Sequence, residues 1–257
     1  MAVNIDKTAS IDISAKIGVD VTIGPGAVIG PDVEIGDRTA VGPGAYICRD
    51  TVIGSDCNIS FSACVGTDPQ DLKYDGGKYP LIIGANVVIR EFASLNRGTK
   101  EHGETRICDN AFIMTYCHVA HDCVVGENVI LSNGVQLAGH VRVDEWASIG
   151  GLTPVHQFVN IGKHAFVGGG LRINQDVPPF VIANGQPAKM SGVNMVGLKR
   201  RGFSEDDITR IKKIYRFIYR REARRREALV AAEKEMGADP FLTDVLGFFS
   251  DSRRGVM

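Results

Sequence analysis

The segment ICDNAFIMTYCHVAHDCVVGENVILSNGVQL, residues 107–137, sets Ile107, Ile113, Val119, Val125, Leu131 and Leu137 six positions apart. The same step continues through Val143, Ile149, Val155, Ile161 and Val167 to Ile173. Upstream it runs from Ile11 to Val65 and returns at Ile83, Ile89 and Leu95. Counted by sixes from 11 to 173, the frame fails only at Asp71, Gly77 and Glu101, each inside a stretch that reads as a loop. A small residue often follows the aliphatic one, as in Ile23-Gly24 and Val125-Gly126. Neither an α-helix, at about 3.6 residues per turn, nor a strand, at about two, has this period. A six-residue repeat is the signature of a parallel β-helix, in which three sides close a triangular coil of roughly eighteen residues. The aliphatic residue of each side then points inward and stacks on its counterpart in the next coil.

The repeat assigns residues 1–187 to the β-helix and leaves 188–257 as a helical domain. Hydrophobic content of 44% with only 7% aromatic suits an interior of Ile and Val rather than of rings. A net charge of −1 supplies no bulk field to attract a polyanion, so nucleic acid is not an expected partner. The six cysteines include no CxxC pair and read as free thiols in a reducing compartment. With no apolar core of signal-peptide length and no bilayer-spanning stretch, the expectation is a cytoplasmic protein without stable membrane insertion.

Two segments interrupt the repeat, TDPQDLKYDGGKYP at 67–80 and RGTKEHGET at 97–105. Insertions in a solenoid extrude as loops on one side, often the binding side. Val119, Leu137, Val155 and Ile173 form one column, and His118, His121, His140 and His156 gather along its edge. Counting by eighteens back through both interruptions puts Val65 and Glu101 in that column, and both loops over the histidines.

Histidine near neutral pH takes a proton from a hydroxyl or amine nucleophile. His121-Asp122 is the sharpest pair, since a carboxylate fixes the imidazole tautomer, although neighbours along a strand face opposite ways. Gly139, one coil on, offers a backbone N–H to a developing oxyanion. A base with a backbone donor points to acyl transfer without a covalent enzyme intermediate. The HxxH spacing of His118 and His121 raises a zinc-dependent hydratase as the alternative. No third histidine is expected at matching height on an adjacent turn, so neither a metal nor another cofactor is expected.

Beyond residue 187, Ser204 reads as an N-cap followed by an acidic first turn at Glu205, Asp206 and Asp207. Apolar residues then recur at helical spacing from Ile208 to Tyr219. Further helical stretches run from Glu222 to Met236 and from Pro240 to Phe249, and together they would cap the last coil. Residues 199–226 carry twelve Lys/Arg against four acids, which suits an acidic protein partner.

The motifs QDLKY (70–74), NRGT (96–99), HVAHDC (118–123), LAGH (137–140), VHQF (155–158), QDVPPF (175–180) and GLKRRGF (197–203) follow one another in an order with a known parallel. In them the chain resembles the UDP-N-acetylglucosamine O-acyltransferase family of lipid A biosynthesis. The resemblance implies a left-handed β-helix, against the usual right-handed crossover, and a homotrimer with sites between subunits. It implies transfer of a 3-hydroxyacyl chain from acyl carrier protein to the sugar 3-position, with His121 as base, Asp122 beside it and Gly139 at the oxyanion. Gln70, Asp71, Lys73, Asn96, His118, His140, His156 and Gln157 resemble sugar and phosphate contacts. Asn194, Arg200 and Arg201 resemble the nucleotide end, and Gly169 the position that limits acyl length, where glycine predicts a long chain. Asn96 and Val196 depart from the family's usual histidine and glutamate. An ester on the common acceptor and an amide on its 3-amino analogue therefore both stay open.

Overall fold

A computed structural model describes residues 4–220 and 225–257. Strands of two to four residues follow one another up to Val167 and join in rotation, every third strand to the same sheet. Three parallel sheets result, opening with Asn4–Ile5, Ser10–Ile11 and Lys16–Ile17. Partners stand one coil apart, as in Ser10 with Val28 and Tyr46, or His118 with Gln136 and then Pro154. This is the β-helix that the six-residue period predicts. The inward residues from Ile23 onward are buried to within 3% exposure. Each such side chain contributes about 1.5–3 kcal/mol relative to leaving it in water.

Between sheets the chain turns at a vertex three residues after each inward aliphatic. The vertex residue adopts the left-handed region, as at Asp122 (φ 60°), His140 (φ 62°) and Phe158 (φ 64°). Glycine takes this conformation without strain at Gly134 and Gly170, whereas other residues pay roughly 1–2 kcal/mol. Stacking against the coils on either side offsets that cost.

The two interruptions leave the prism at one corner. Each lies between a strand of the second sheet and one of the third, 64–67 to 81–83 and then 94–96 to 105–107. Cys64 pairs with Ser94, thirty positions on, and Ser94 with His118, twenty-four on. Against the normal eighteen, the loops add twelve and six residues, which together make one whole coil. That is why the frame of six survives both loops and Val65 does share the column of Val119. Glu101 does not: Leu95 occupies the column between them, fully buried, while Glu101 is exposed on the second loop. Counting by eighteens misplaces Glu101 because each loop leaves its own coil separately.

After the last coil, Val181–Asn184 extends the first sheet and Lys189–Val193 adds to it antiparallel. The boundary expected after residue 187 falls in the turn of this hairpin. Among the described residues four helices follow, α1 (Met195–Arg200), α2 (Glu205–Arg220), α3 (Arg225–Met236) and α4 (Pro240–Asp251). Ser204 caps α2 reciprocally with Asp207, each backbone N–H meeting the other's side-chain oxygen at 3.1 Å. Glu222, the expected start of the next helix, lies outside the described residues. The buried face of α2 closes the end of the prism, where the Tyr215 hydroxyl donates to the Pro179 carbonyl at 2.6 Å. Among the described residues, no helix is long and apolar enough to cross a membrane.

Candidate active site

Val119 points inward, so the next residues form the turn that leaves the second sheet, and His121 stands in it. The left-handed φ at Asp122 bends its carboxylate back toward the preceding side chain, and His121 Nδ1 lies 2.8 Å from Asp122 Oδ2. On an extended strand the two would face apart; the vertex brings them together.

Asp122 is 3% exposed and fully engaged. Its Oδ1 accepts the Thr99 backbone N–H at 2.8 Å, its Oδ2 the Thr99 hydroxyl at 2.6 Å, and its own N–H donates to Thr105 Oγ1 at 2.8 Å. Burial pushes the carboxyl up, but the bonds from His121 and Thr99 outweigh it and hold the group below its ordinary 3.8. The bond to Asp122 raises His121 above its ordinary 6.5; burial opposes this, and the Asp71 and Glu101 charges add to it. With Nδ1 donating to an ionised Asp122, Nε2 carries the lone pair.

Gly139 sits one coil on, against that nitrogen. A Cβ there would lie 2.7 Å from His121 Cε1 and 2.8 Å from Nε2. Glycine is what keeps the basic nitrogen clear, and among the described residues no acceptor meets the Gly139 N–H. Gly139→Ala is therefore expected to lower kcat by about two orders of magnitude with the thermal midpoint nearly unchanged, as steady-state assays and a melting curve would show.

The other histidines are set differently. His140, at the next vertex, stacks on Phe158 (4.4 Å, 7°) and meets His121 edge-on at 5.1 Å. Its Nε2 is 3.7 Å from both Asp122 Oδ2 and Glu101 Oε2. Burial nonetheless pulls its pKa below the ordinary 6.5, against the pull of both carboxylates. His118 projects from the second sheet with Nδ1 2.8 Å from Ser94 Oγ, and burial lowers it as well. His156, one coil beyond His140, turns Nδ1 to the Gln157 carbonyl at 3.1 Å, and the Gln157 side chain is exposed. Of His118, His121 and His140, only His121 is made more basic.

The metal-capable groups that converge are His121, Asp122 and His140, with ligand atoms within 4.8 Å of one another, rather than the HxxH pair. His140, one coil on, joins His121 and Asp122, and His118 of the HxxH pair is not in that group. Asp122 Oδ2 already accepts from both Thr99 and His121. A cation there would displace the hydrogen bond between His121 and Asp122 that raises the imidazole pKa.

Both loops stand at this corner, on the two coils preceding His121. In the first, Gln70 and Lys73 are exposed and Asp71 Oδ1 accepts the Lys73 N–H at 3.0 Å. Asn96 is 1% exposed and donates to Thr67 Oγ1 (2.7 Å) and the Asp68 carbonyl (3.1 Å), anchoring that loop from inside. Asn194 is likewise internal, capping α1 through Gly197 N–H (3.1 Å) and donating to the His164 carbonyl (3.0 Å). Arg201 lies at a different corner, 3.3 Å from His164 Nδ1 and over the Trp146 ring, with exposed Arg200 beside it in sequence. Burial and the neighbouring cations take His164 down to about 4. Arg201 thus stands beside a neutral imidazole, with no carboxylate partner among the described residues. Gly169 lies at the remaining corner, beside the vertex at Gly170, where a Cβ would be 3.1 Å from the Gly151 carbonyl. The histidines, Arg201 and Gly169 therefore occupy three different corners of one chain.

A cleft of about 1050 Å³ opens from Glu101, Asp122 and His140 across Arg142 and Lys163 to Asp244 on α4. Thr99 and Ser94, which hold Asp122 and His118, escaped the sequence reading as site residues. NRGT already contains Thr99, whereas Ser94 faces His118 only once the loop lengths are known. All six cysteines are free, and burial pushes Cys117 up to about 11 and Cys123 to about 12, too high for a thiolate nucleophile.

The coils and the histidine edge define a hexapeptide-repeat transferase, and the bacterial transferase hexapeptide family matches residues 14–49 and 104–139. The second domain of UDP-N-acetylglucosamine O-acyltransferase matches residues 176–257. The acyl-[acyl-carrier-protein]–UDP-N-acetylglucosamine O-acyltransferase of Verminephrobacter eiseniae is 46% identical, over 80% of this chain and 81% of its own. That of Herminiimonas arsenicoxydans is 45% identical over 98% and 96%. The crystal structure of Francisella novicida UDP-N-acetylglucosamine acyltransferase superposes with a TM-score of 0.95 at 36% identity, covering 98% of this chain and 93% of that one. The chain belongs to the acyl-[acyl-carrier-protein]–UDP-N-acetylglucosamine O-acyltransferase family, acyltransferases of the first step of lipid A biosynthesis.

Proposed function

We propose that the protein moves a (3R)-hydroxyacyl chain from acyl carrier protein to the 3-hydroxyl of UDP-N-acetylglucosamine, directly and with His121 as general base. His121 Nε2 takes the hydroxyl proton as the oxygen attacks the thioester carbonyl. The Gly139 N–H donates to the oxyanion. Collapse of the tetrahedral intermediate breaks the C–S bond, and the imidazolium returns its proton to the departing thiolate. One observation carries this reading: His121 is tied to Asp122 through Nδ1 while Gly139 leaves Nε2 open.

Two further features support the partners. Arg200 and, on α2, Lys212, Lys213 and Arg216 are exposed, whereas Lys199 pairs with Glu205 and Arg210 with Asp207 and Asp239. Such a face suits an acidic carrier protein and speeds encounter more than it tightens binding. Arg221 and Arg224 of the same run lie outside the described residues. The three corners that hold the histidines, Arg201 and Gly169 can serve one extended substrate pair when neighbouring copies stand side by side, which favours a homotrimer.

The test is product mass spectrometry with 3-hydroxyacyl carrier proteins of several chain lengths, an equimolar mixture of UDP-N-acetylglucosamine and its 3-amino analogue, and His121→Ala as control. An acylated UDP-sugar absent from the control is the expected result. Acylation of the amino sugar alone would replace the ester reading with the amide, and no product from any pair would overturn the transferase reading. The pH profile follows from the dyad. The base must be neutral, so kcat/KM should rise with pH through an apparent pKa above His121's ordinary 6.5. Asp122→Asn removes the charge that raises it, so the acid limb should move to lower pH while the plateau falls.

A further inference from the structure

Proton transfer at His121 depends on how rigidly Asp122 is held, and the bond from its backbone N–H to Thr105 Oγ1 (2.8 Å) leaves its carboxylate to be fixed separately. Its two carboxylate oxygens are held by one residue from outside that turn, Thr99, through the backbone N–H (2.8 Å) and the hydroxyl (2.6 Å). Thr99 is 6% exposed, so water does not compete for these bonds. The hydroxyl also accepts the Glu101 N–H at 3.3 Å, and the Thr99 carbonyl accepts the Gly103 N–H at 2.7 Å. The second loop therefore folds around the residue that grips the carboxylate. Its Glu101 in turn reaches His140, the ring that flanks His121.

We propose that Thr99 is the positioning residue of the His121–Asp122 dyad, its hydroxyl fixing the carboxylate oxygen that holds His121 Nδ1. The inference rests on the acyl-transfer reading, because it assigns Thr99 an effect on a proton transfer that His121 performs. Thr99 bonds to Asp122 rather than to His121, and it acts through Asp122. Valine has the same shape without the hydroxyl and keeps the backbone bonds to Asp122 Oδ1 and from Gly103, so Oδ2 loses a partner and the Glu101 N–H loses its 3.3 Å acceptor. Serine keeps the donor.

The experiment compares Thr99→Val, Thr99→Ser, Asp122→Asn and the double variant Thr99→Val/Asp122→Asn by steady-state kinetics on the full-length protein, with a melting curve for each. Thr99→Val is expected to lower kcat on the order of 10- to 100-fold, the usual cost of losing a hydrogen bond to a charged group, with KM for the UDP-sugar little changed. Thr99→Ser should recover most of the activity. In the Asp122→Asn background Thr99→Val should cost little more, because a residue that works only through Asp122 has nothing left to act on. Wild-type kcat in Thr99→Val, equal losses in the valine and serine variants, or full additivity in the double variant would each overturn the proposal. If Asp122→Asn and His121→Ala are themselves fully active, the acyl-transfer reading fails first. If they are inactive and Thr99→Val is not, only the role of Thr99 falls.

Discussion

His121→Ala is expected to lower kcat by about three orders of magnitude, the usual range for removing a positioned general base. The loss should fall on kcat, with KM for the UDP-sugar within a few-fold, because the proposed sugar contacts His118, His140 and His156 stay in place. The fold should survive. The His121 side chain is 13% exposed, lies outside the aliphatic stack, and among the described residues has Asp122 as its one hydrogen-bond partner. Asp122 loses that partner but keeps both bonds from Thr99. Steady-state kinetics with circular dichroism checks both halves, and a variant that retained a tenth of wild-type kcat would place the base elsewhere.

Arg97→Met should be the most destabilising single change at this corner. The Arg97 side chain is 1% exposed and bonds to Asp50 Oδ2 (3.0 Å), the Gly66 carbonyl (3.0 Å), the Tyr74 hydroxyl (3.1 Å) and the Asp68 carboxylate. It is the staple between the first loop, the coil beneath and the start of the second loop. Removing one member of a buried ion pair strands the other. Asp50 is 9% exposed, with Lys78 and Arg49 only at 3.8 and 3.9 Å, so a loss of about 3 kcal/mol is expected. Equilibrium denaturation at fixed protein concentration would measure it. Adding Asp50→Asn should restore part of the loss, since the stranded charge goes with it. An Arg97→Met variant as stable as the parent would show that the two loops are held by other means.

What the sequence made legible follows from what periodicity can report. A period of six marks which side chains point inward, and Ile23 to Val167 do so. Eighteens place residues on one edge, and the histidines around Val119 gather there. Periodicity is silent on lengths extruded from the coil, so Leu95 and Glu101 exchanged roles. It is equally silent on backbone hand at a vertex. The His121–Asp122 contact depends on φ at Asp122, and the level of His140 on the same conformation one coil on. Motif resemblance marked Asn96 and Asn194 as substrate contacts, yet both side chains make internal bonds, one anchoring a loop and the other capping a helix. A polar residue in a motif has the same letter whether it faces a ligand or its own backbone.

The left-handed vertices have a consequence for how such a protein changes over time. A vertex side chain points away from the prism, and what stacks inside is decided three residues earlier. Asp50, Asp122, His140 and Phe158 occupy equivalent vertices of one corner, with the same backbone hand and very different chemistry. The frame thus behaves like a rack with identical sockets, into which acid, imidazole or phenyl can be fitted without rebuilding the rack. The aliphatic stack and the corner chemistry are written in separate columns of the same repeat, and mutation can edit a vertex while leaving the inward stack intact.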